Sequence, residues 1–396
     1  MSPRVKLPLR TLQLPDDIVE EILLRLPARS LLPLKLVCRS WRTLISSSKF
    51  ADQHFRRSIL VDPQIVYCSQ NNIHRRMEVF PLRSALENTR VEPTAKAASM
   101  IDGKRYFRIL GSCNGLLCLI HERYDPNITS AILWNPFTGF TSEPTPEIAG
   151  AFSYGGFGYD HISNRYKLFM AVKVSKHEEQ TRIYTFAPNN SSWKTIENFD
   201  FSLLGYPHNR SYFPIDNNNE VGAFVSGSNT LNWNVQRYRG MYVIFSLDLG
   251  KESYGILPLP ERDPKDSHRM CLELSLLRNC LCVCFDHKRT HWAIWIMKEY
   301  GVTQSWTRLA LIPYQVFIPK YGLRCCLKPL YIFKDDVLLA FSPYYNIILC
   351  NLNNTDDTLV PVIEGSEHAI LCSFHVYGES LLSPSHYDDL ANNNLS

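Results

Sequence analysis

Residues 14–45 read LPDDIVEEILLRLPARSLLPLKLVCRSWRTLI, and this stretch constrains the fold more than any other part of the chain. Its apolar residues recur every three or four positions, which is the spacing of amphipathic helices. Pro15 and Pro27 divide the pattern at points where helices begin or end. The segment is too short to be stable alone, and three short helices cannot bury all its apolar side chains. It therefore predicts a small helical module that a partner surface covers.

The helix boundaries are predicted from capping signals. Asp17 and Glu20 have the spacing of a capping box, so the first helix is expected to start here and to end at Pro27. Ser30 is positioned to cap the second helix, with Pro33 in its first turn, where the missing N–H does little harm. A run of three serines ends the third helix. The third helix itself is predicted from the stripe Cys38, Trp41, Leu44 and Ile45.

From about residue 59 the pattern changes to short runs of Val, Ile, Leu, Phe, Tyr and Trp, separated by Gly, Asn, Asp and Pro. Such runs predict an all-β region. A weak internal repeat has units that open near residues 113, 157, 227, 278 and 334. Units of roughly this length are typical of the four-stranded blades of a β-propeller, which we favour. The alternative is an irregular array of β-sandwiches.

Twelve cysteines occur in the chain. Cys280, Cys282 and Cys284 alternate in RNCLCVCFD, which places their thiols on one face of a strand. The sequence has no paired C-x2-C motifs, which a zinc knuckle would need. We interpret these thiols as small buried hydrophobic groups in a protein of the reducing cytoplasm or nucleus.

The charge is unevenly distributed. The formal net charge is +4, whereas residues 1–58 carry eleven Lys or Arg and five Asp or Glu, a net +6. A basic module can bind a nucleic acid or an acidic protein. Because the basic residues alternate with apolar ones and form no block, we expect an acidic protein and no nucleic acid. The sequence has no run of 18 apolar residues and no signal-peptide pattern, so no membrane partner is predicted.

Two polar pairs suggest chemistry, but each has a simpler interpretation. Asp160 and His161 are adjacent at a turn, where an Asp side chain commonly binds the backbone. His287 and His291 are four positions apart, but their strand–turn–strand context predicts a hairpin tip rather than a metal site. The common phosphate-binding, nucleophile-elbow and zinc-protease motifs do not occur. We therefore predict no catalytic residue, no metal and no cofactor.

Most tryptophans of the β-rich units are expected in blade cores. Trp292 and Trp295 differ by three positions, so they point to opposite faces of a strand. If one of them is exposed at the central mouth of the propeller, it is a candidate contact for a bound partner. The tryptophans concerned are Trp134, Trp193, Trp233, Trp292, Trp295 and Trp306.

The N-terminal stretch LPDDIVEEILLRLPARSLL followed by LVCRSWRTLI closely resembles the F-box. In that family the segment binds a Skp-type adaptor. The adaptor in turn binds a cullin scaffold that carries a RING ubiquitin ligase. The resemblance implies that this chain is a substrate receptor of such a ligase. It also implies the residues that contact the adaptor: Leu14, Pro15, Ile18, Ile22, Leu23, Leu26, Pro27, Leu31, Leu34, Val37, Cys38, Trp41 and Leu44.

The later region resembles the F-box-associated, kelch-like domain of plant F-box proteins. The motifs GSCNGLLCL, LWNPFTG, GFGYD…YK and WIMKEYGV…SWTRL carry this resemblance over residues 109–309, and the ending HVYGESLLSP is similar too. It implies a β-propeller with about six blades, if the strands around 368–382 pair with residues 59–82 to close the ring. The predicted organisation is an N-terminal tail at 1–12, an F-box at 13–58, the propeller-like domain at 59–384 and a disordered tail at 385–396.

By this resemblance we expect an adaptor and not an enzyme, with a protein cargo bound by the β domain for ubiquitination. The sequence identifies neither the cargo nor the residues that bind it, because loops on a common scaffold vary freely. The alternative is a propeller-type enzyme or sugar-binding protein with a helical appendage. It requires convergent polar groups or a metal at the propeller axis.

Overall fold

A computed structural model describes most of the chain. The described residues are 14–58, 63–70, 75–83, 95–96, 106–124, 127–175, 178–187, 191–196, 221–236, 242–261, 272–288, 290–313, 327–342, 346–359 and 370–382. The tails predicted at 1–12 and 385–396 lie outside these residues. Among the described helices, none has the length and apolar character needed to cross a membrane.

Four helices come first: α1 (Asp16–Leu23), α2 (Ala28–Leu34), α3 (Arg39–Ile45) and α4 (Ser48–Ser58). The three predicted helices are confirmed. The sequence does not predict α4, because its residues, SKFADQHFRRS, are mostly polar. This helix starts directly after α3 because Ser47 Oγ accepts a hydrogen bond from the Phe50 N–H at 3.2 Å and so caps it.

Two predicted caps are wrong, although Pro15 does lie just before the first helix, as expected from the sequence. Pro15 precedes α1, and no side chain caps this helix. Asp17 lies in its first turn, where a negative charge interacts favourably with the positive end of the helix dipole. Pro27 precedes α2, so Ser30 lies inside this helix and does not cap it. As a consequence Pro33 is near the end of α2 rather than in its first turn. In both helices the fixed backbone angle of a proline sets the start, in place of a side-chain hydrogen bond.

The described strands form six four-stranded sheets, which we number as blades 1 to 6. Blade 1 contains β1 (Gln64–Gln70), β2 (Arg75–Pro81), β3 (Ala95–Lys96) and a strand from the end of the chain. Blade 2 contains β4 (Tyr106–Cys113), β5 (Leu116–Tyr124), β6 (Asn127–Trp134) and β7 (Ile148–Ala149). Blade 3 contains β8 (Ala151–Asp160), β9 (Arg165–Lys173), β10 (Glu179–Phe186) and β11 (Ser192–Thr195).

The remaining blades follow the same antiparallel plan. Blade 4 contains β12 (Ala223–Val225), β13 (Thr230–Gln236), β14 (Tyr242–Asp248) and β15 (Ser253–Leu257). Blade 5 contains β16 (Leu272–Leu277), β17 (Cys280–His287), β18 (His291–Met297) and β19 (Trp306–Pro313). Blade 6 contains β20 (Lys328–Ile332), β21 (Val337–Ser342), β22 (Asn346–Asn351) and β23 (Asn354–Leu359). The fold is a six-bladed propeller, as predicted, and not an array of sandwiches.

The ring closes through the last strand, β24 (Ile370–Tyr377), which completes blade 1. It pairs antiparallel with β1, with Gln64 opposite Tyr377 and Val66 opposite His375. The predicted pairing of the chain ends is therefore confirmed. One strand of each blade contacts its counterpart in the next blade, and these inner strands are β4, β8, β12, β16 and β20 in blades 2 to 6 and β24 in blade 1.

The Gly-rich run in β8 is explained by close packing between blades 3 and 4. A Cβ atom on Gly158 would overlap the ring of Phe224 in β12. A Cβ atom on Gly156 would lie 2.8 Å from Leu231 Cδ2 in β13. Any larger residue at these two positions would push the blades apart.

The cysteines and tryptophans of blade 5 lie in apolar surroundings. Cys282 and Cys284 are buried and free, as interpreted from the sequence, and burial raises the pKa of the Cys282 thiol to about 12. Trp292 is buried and Trp295 is half-buried, and they pack in two different clusters on opposite faces of β18. Neither ring is exposed, and β18 is the third strand from the axis, so neither lies at the central mouth.

Residues that follow β24 are anchored on two motifs of blade 2. Asn135, in LWNPFTG, is fully buried, and its Nδ2 donates to Ser380 O at 2.9 Å and to Leu382 O at 2.8 Å. Gly115, in GSCNG, has φ +80°, and a Cβ atom there would overlap Ser380 Cβ. Two motifs that carry the sequence resemblance thus meet the segment that follows β24.

Asp160 links blades 3 and 4. Its carboxylate accepts hydrogen bonds from Ser163 Oγ at 2.6 Å and from Asn229 Nδ2 of blade 4 at 2.9 Å. It also lies 3.0 Å from Lys167 Nζ, which donates to the Leu249 carbonyl at 2.7 Å. Burial alone would raise the pKa of Asp160, but hydrogen bonds from Ser163, Asn229, the Ile162 N–H and Lys167 together outweigh it and lower the pKa to about 2.

We expect Asn135→Asp to destabilise the propeller by about 3 kcal/mol. The variant keeps the oxygen that accepts from the N–H groups of Phe137 and Thr138. It replaces the donor with a carboxylate oxygen that faces two buried carbonyls. Urea unfolding monitored by circular dichroism measures the change, and Asn135→Ala, which adds no repulsion, should lose less. A variant as stable as wild type would contradict the anchoring role.

Acid should weaken the link at Asp160. Because its folded-state pKa lies below the ordinary value of 3.8, its contribution is complete above about pH 4 and is lost as the pH falls through about 2. The difference in pKa corresponds to about 2 kcal/mol in the free energy of unfolding. Urea unfolding at a series of acidic pH values should show this loss in wild type. Asp160→Asn should be less stable than wild type and should lack that part of the pH dependence. If the free energy of unfolding of the variant falls with acid as steeply as that of wild type, the link is contradicted.

Candidate functional site

One face of the helical module is packed into the propeller. Leu31, Ile45 and Phe50 are fully buried, and they belong to one apolar cluster with residues of blades 2, 3 and 4. Phe55 of α4 is in the same cluster. The module and the propeller therefore share a continuous core, and the surface that remains free on the module is its other side.

Polar contacts reinforce this packing. Arg29 Nη2, on α2, forms an ion pair of 2.6 Å with Glu379 Oε1, directly after β24. His54 is fully buried in α4, and its Nε2 donates to the Leu26 carbonyl at 2.8 Å, so that α4 is tied to the segment between α1 and α2. Burial lowers the pKa of His54, which keeps its ring neutral.

The module exposes a set of large apolar side chains, which we call the exposed apolar set. Ile18 and Ile22 lie one turn apart on α1, so their side chains are neighbours. Leu36 and Val37 follow α2 and are exposed to 76% and 61%. Other exposed large apolar residues of the described chain are scattered over the blades. The exposed apolar set consists of Leu14, Ile18, Ile22, Leu32, Leu36 and Val37.

Positive charge accompanies these apolar groups. Arg25 and Arg57 both pair with Glu21, at 3.0 and 2.9 Å, and the hydrogen bonds from Arg57 and Arg25 lower the pKa of Glu21. Further exposed cations of the module make no ion pair with any residue that the structure describes. These are Arg39, Arg42 and Lys49.

The structure separates the predicted adaptor contacts by exposure. Leu23 and Leu31 are buried at 1% and 0% exposure, so they support the surface from within. The exposed ones are Leu14, Pro15, Ile18, Ile22, Pro27, Val37 and Cys38. The half-buried ones are Leu26, Leu34, Trp41 and Leu44.

Cys38 also has a structural task. It is the N-cap of α3, where its Sγ accepts a hydrogen bond from the Trp41 N–H at 3.5 Å. Hydrogen bonds from Ser40 and Trp41 lower the pKa of this exposed thiol. The stripe read from the sequence identifies Cys38 as a helical position, but the side chain instead fixes where α3 begins.

Two exposed residues are missing from the predicted contacts, namely Leu32 and Leu36. Neither falls on the spacing of three or four that joins Leu31 to Leu34, so a search for one apolar stripe passes over them. The sequence does mark them in another way. They are extra apolar residues beside the stripe of Leu31 and Leu34, and the buried face of α2 has no room for them.

The polar pairs have the structural roles expected from the sequence. Asp160 forms the predicted side-chain turn by accepting from the Ile162 N–H at 2.9 Å, and its link to Lys167 adds a role that the sequence does not show. His161 is exposed and lies 3.2 Å from Ser226 Oγ. His287 and His291 face each other across the β17–β18 hairpin, as predicted. Across the described ranges, no group of three or more His, Cys, Asp or Glu side chains has the geometry of a metal site.

Comparison with known proteins matches both parts of the chain. Residues 68–379 match the model of the F-box associated beta propeller domain, and residues 11–53 match that of the F-box domain. The Arabidopsis thaliana F-box/kelch-repeat protein At3g23880 is 27% identical over 355 residues, 86% of this chain and 88% of the relative. The F-box protein CPR1 of the same species is 25% identical over 362 residues, 86% of this chain and 80% of CPR1.

Among solved structures, a putative 6-phosphogluconolactonase from Bacteroides uniformis superposes with a TM-score of 0.41 and 9% sequence identity. The superposition covers 80% of this chain and 99% of that one. The two family matches, in contrast, support a general role in substrate recognition for Skp–cullin–F-box ubiquitin ligases. This chain belongs to the family of plant F-box proteins with an F-box-associated β-propeller domain.

Proposed function

We propose that this protein is the substrate-recognition subunit of a Skp–cullin–F-box ubiquitin ligase. In this proposal the exposed apolar set and the half-buried residues beside it bind a Skp-type adaptor, which connects the chain to the cullin and RING subunits. The propeller binds a protein cargo. The chain itself has no catalytic role and works in the cytoplasm or nucleus.

One observation carries the proposal: the module exposes six large apolar side chains although its other face is already packed into the propeller core. Exposed apolar groups concentrated in so small a segment are typical of a protein-binding surface. The cations Arg39, Arg42 and Lys49, which form no ion pair with a residue that the structure describes, favour an acidic partner. An isolated helical cap would not expose both kinds of group.

The shared core supports a positioning mechanism. Ubiquitin transfer needs a substrate lysine held near the charged enzyme, and fixed geometry replaces a diffusional encounter by a local one. Phe50 and Phe55 bury α4 against the propeller, so cargo and adaptor would be held in one body. Since α4 lies over the turns that follow the inner strands, we place the cargo at the opposite axial face.

The double variant Ile18→Ala/Ile22→Ala should weaken adaptor binding at least about thirtyfold, because both exposed side chains would be buried in the interface. The thermal midpoint should stay unchanged, since neither residue contributes to the core. Calorimetric titration of the purified full-length chain with a Skp-type adaptor measures the affinity.

Val302→Ala is the matched control, because Val302 is exposed to 40% but lies in the β18–β19 connection of blade 5. It should bind the adaptor as wild type does. Deleting the module is a poorer test, since Phe50 belongs to the shared core. Wild-type affinity in the double variant would remove the exposed apolar set from the interface and with it this proposal.

Leu31→Ala should have the opposite effects. Leu31 is fully buried, so truncation should lower the free energy of unfolding by about 2–5 kcal/mol. At temperatures well below its thermal midpoint, where the Leu31→Ala variant is folded, its adaptor affinity should change less than that of the Ile18→Ala/Ile22→Ala double variant. Urea unfolding and the same titration separate the two roles. A stable Leu31→Ala variant that fails to bind would show that Leu31 contacts the adaptor directly.

A further inference from the structure

A cavity of about 970 Å³ lies where α4 meets the propeller. Phe55 and Arg56 of α4 form one side of it. The other walls come from turns that follow the inner strands of the propeller, including Asn114 after β4, His161 after β8 and Arg278 after β16. The cavity is therefore bounded by both parts of the molecule, a location where ligand sites commonly occur.

Aromatic side chains form much of the lining. Tyr331, at the end of β20, and Phe333, just after it, have ring centroids 5.2 Å apart and meet edge to face. Phe224 and Tyr159 line the cavity from blades 4 and 3. Flat aromatic walls bind planar apolar groups well, because rings pack against each other in edge-to-face or offset arrangements.

The charged lining residues are mostly cationic. Arg56, Arg278 and Lys334 line the cavity, against the single carboxylate of Asp52. Arg56 uses Nε to bind Asp52 at 2.9 Å, and Arg278 uses Nη2 to bind Asp336 at 2.6 Å. The other guanidinium nitrogens of both residues, and Lys334 Nζ, form no hydrogen bond or ion pair with a residue that the structure describes.

We propose that this cavity binds a small organic acid with a planar aromatic ring. The ring packs against Tyr331 and Phe333, and the carboxylate accepts hydrogen bonds from the free donors of Arg278 and Lys334 on the propeller and Arg56 on α4. The ligand thereby bridges the helical module and the propeller. This site is separate from the exposed apolar set and does not depend on adaptor binding.

The charge of the ligand follows from the donors. The three cations face the carboxylates of Asp52, in the lining, and of Asp336, beside Arg278, which still leaves a local excess of positive charge that an anion neutralises. Hydrogen bonds between a guanidinium or ammonium group and a carboxylate are about twice as strong as those between neutral groups. The volume lies within the range of drug-sized sites, which is larger than an inorganic anion needs.

The test uses the full-length protein and three matched pairs of ligands: benzoate and benzamide, 2-naphthoate and 2-naphthamide, and biphenyl-4-carboxylate and its amide. Each pair shares a ring and differs in charge. Isothermal titration should give saturable binding of at least one bicyclic acid, with a dissociation constant of about 1 mM or lower. Its amide should bind at least about tenfold more weakly.

Variants then locate the bound acid. Arg278→Asn and Lys334→Gln should each weaken binding about tenfold, while amide affinity changes little. Asn suits position 278 because Arg278 has φ +51°, which Asn tolerates. The Arg278–Asp336 pair is exposed, so its loss should hardly affect folding. Lys251→Gln is the control, since Lys251 is 74% exposed in blade 4 and does not line the cavity.

Three results would overturn the proposal. The first is no saturable binding of any of the three acids. The second is equal binding of acids and amides, which would mean that the cations play no part. The third is selective binding that survives both cavity variants, which would place the acid elsewhere on the protein. Thermal midpoints close to wild type in both variants establish that a lost affinity is not a loss of folding.

Discussion

The pairing of β24 with β1 is the constraint on which the rest of the structure depends. A propeller without closure has two open blade edges, and here the first and last strands of the β region share blade 1. The residues after β24 do more than end the strand. Ser380 and Leu382 accept hydrogen bonds from Asn135, and Glu379 pairs with Arg29 of the helical module. One short segment therefore closes the ring, holds blade 2 and contacts the module.

The helical module shows how a surplus of apolar residues is divided. Leu31 turns inward and joins the propeller core, whereas its neighbour Leu32 is exposed. The helices are too short to bury both faces among themselves, so one face packs on the propeller and the other stays exposed, as in our proposal of a second protein that covers it. The same division explains why the module is stable in this chain although thirty residues of helix would not be stable alone.

Elements with a long, regular pattern could be predicted from the sequence. The first three helices and the closure of the ring follow from apolar periodicity and from the similarity of the chain's ending to its family. By contrast, α4 could not be predicted, because only Phe50, Ala51 and Phe55 mark its buried side among polar residues. The caps predicted at Asp17 and Ser30 were wrong because two signals compete at each helix start, and the backbone angle of Pro15 or Pro27 prevails over a side-chain cap.

Contacts between distant residues were beyond sequence analysis for a different reason. Asn135 lies within a motif that the sequence does display, but its partner Ser380 is 245 residues away. Asp160 was recognised as a turn residue from its neighbours, whereas Asn229, its partner in the next blade, is 69 residues further on. Local chemistry identifies such a residue as polar and turn-forming. Only the ring of blades determines which distant group it meets.

A ligand in the cavity beneath α4 would add to the free energy that holds the helical module against the propeller. The ion pair between Arg29 and Glu379 joins the two parts, but Arg29 is half exposed, so the pair contributes at most about 1 kcal/mol. A ligand that contacts α4 and the propeller turns together binds only when the two are packed. At a hundred times its dissociation constant it would stabilise that arrangement by about 2.7 kcal/mol. Because proximity depends on a fixed distance between adaptor and cargo, such a ligand would strengthen the geometry of the receptor without touching either protein.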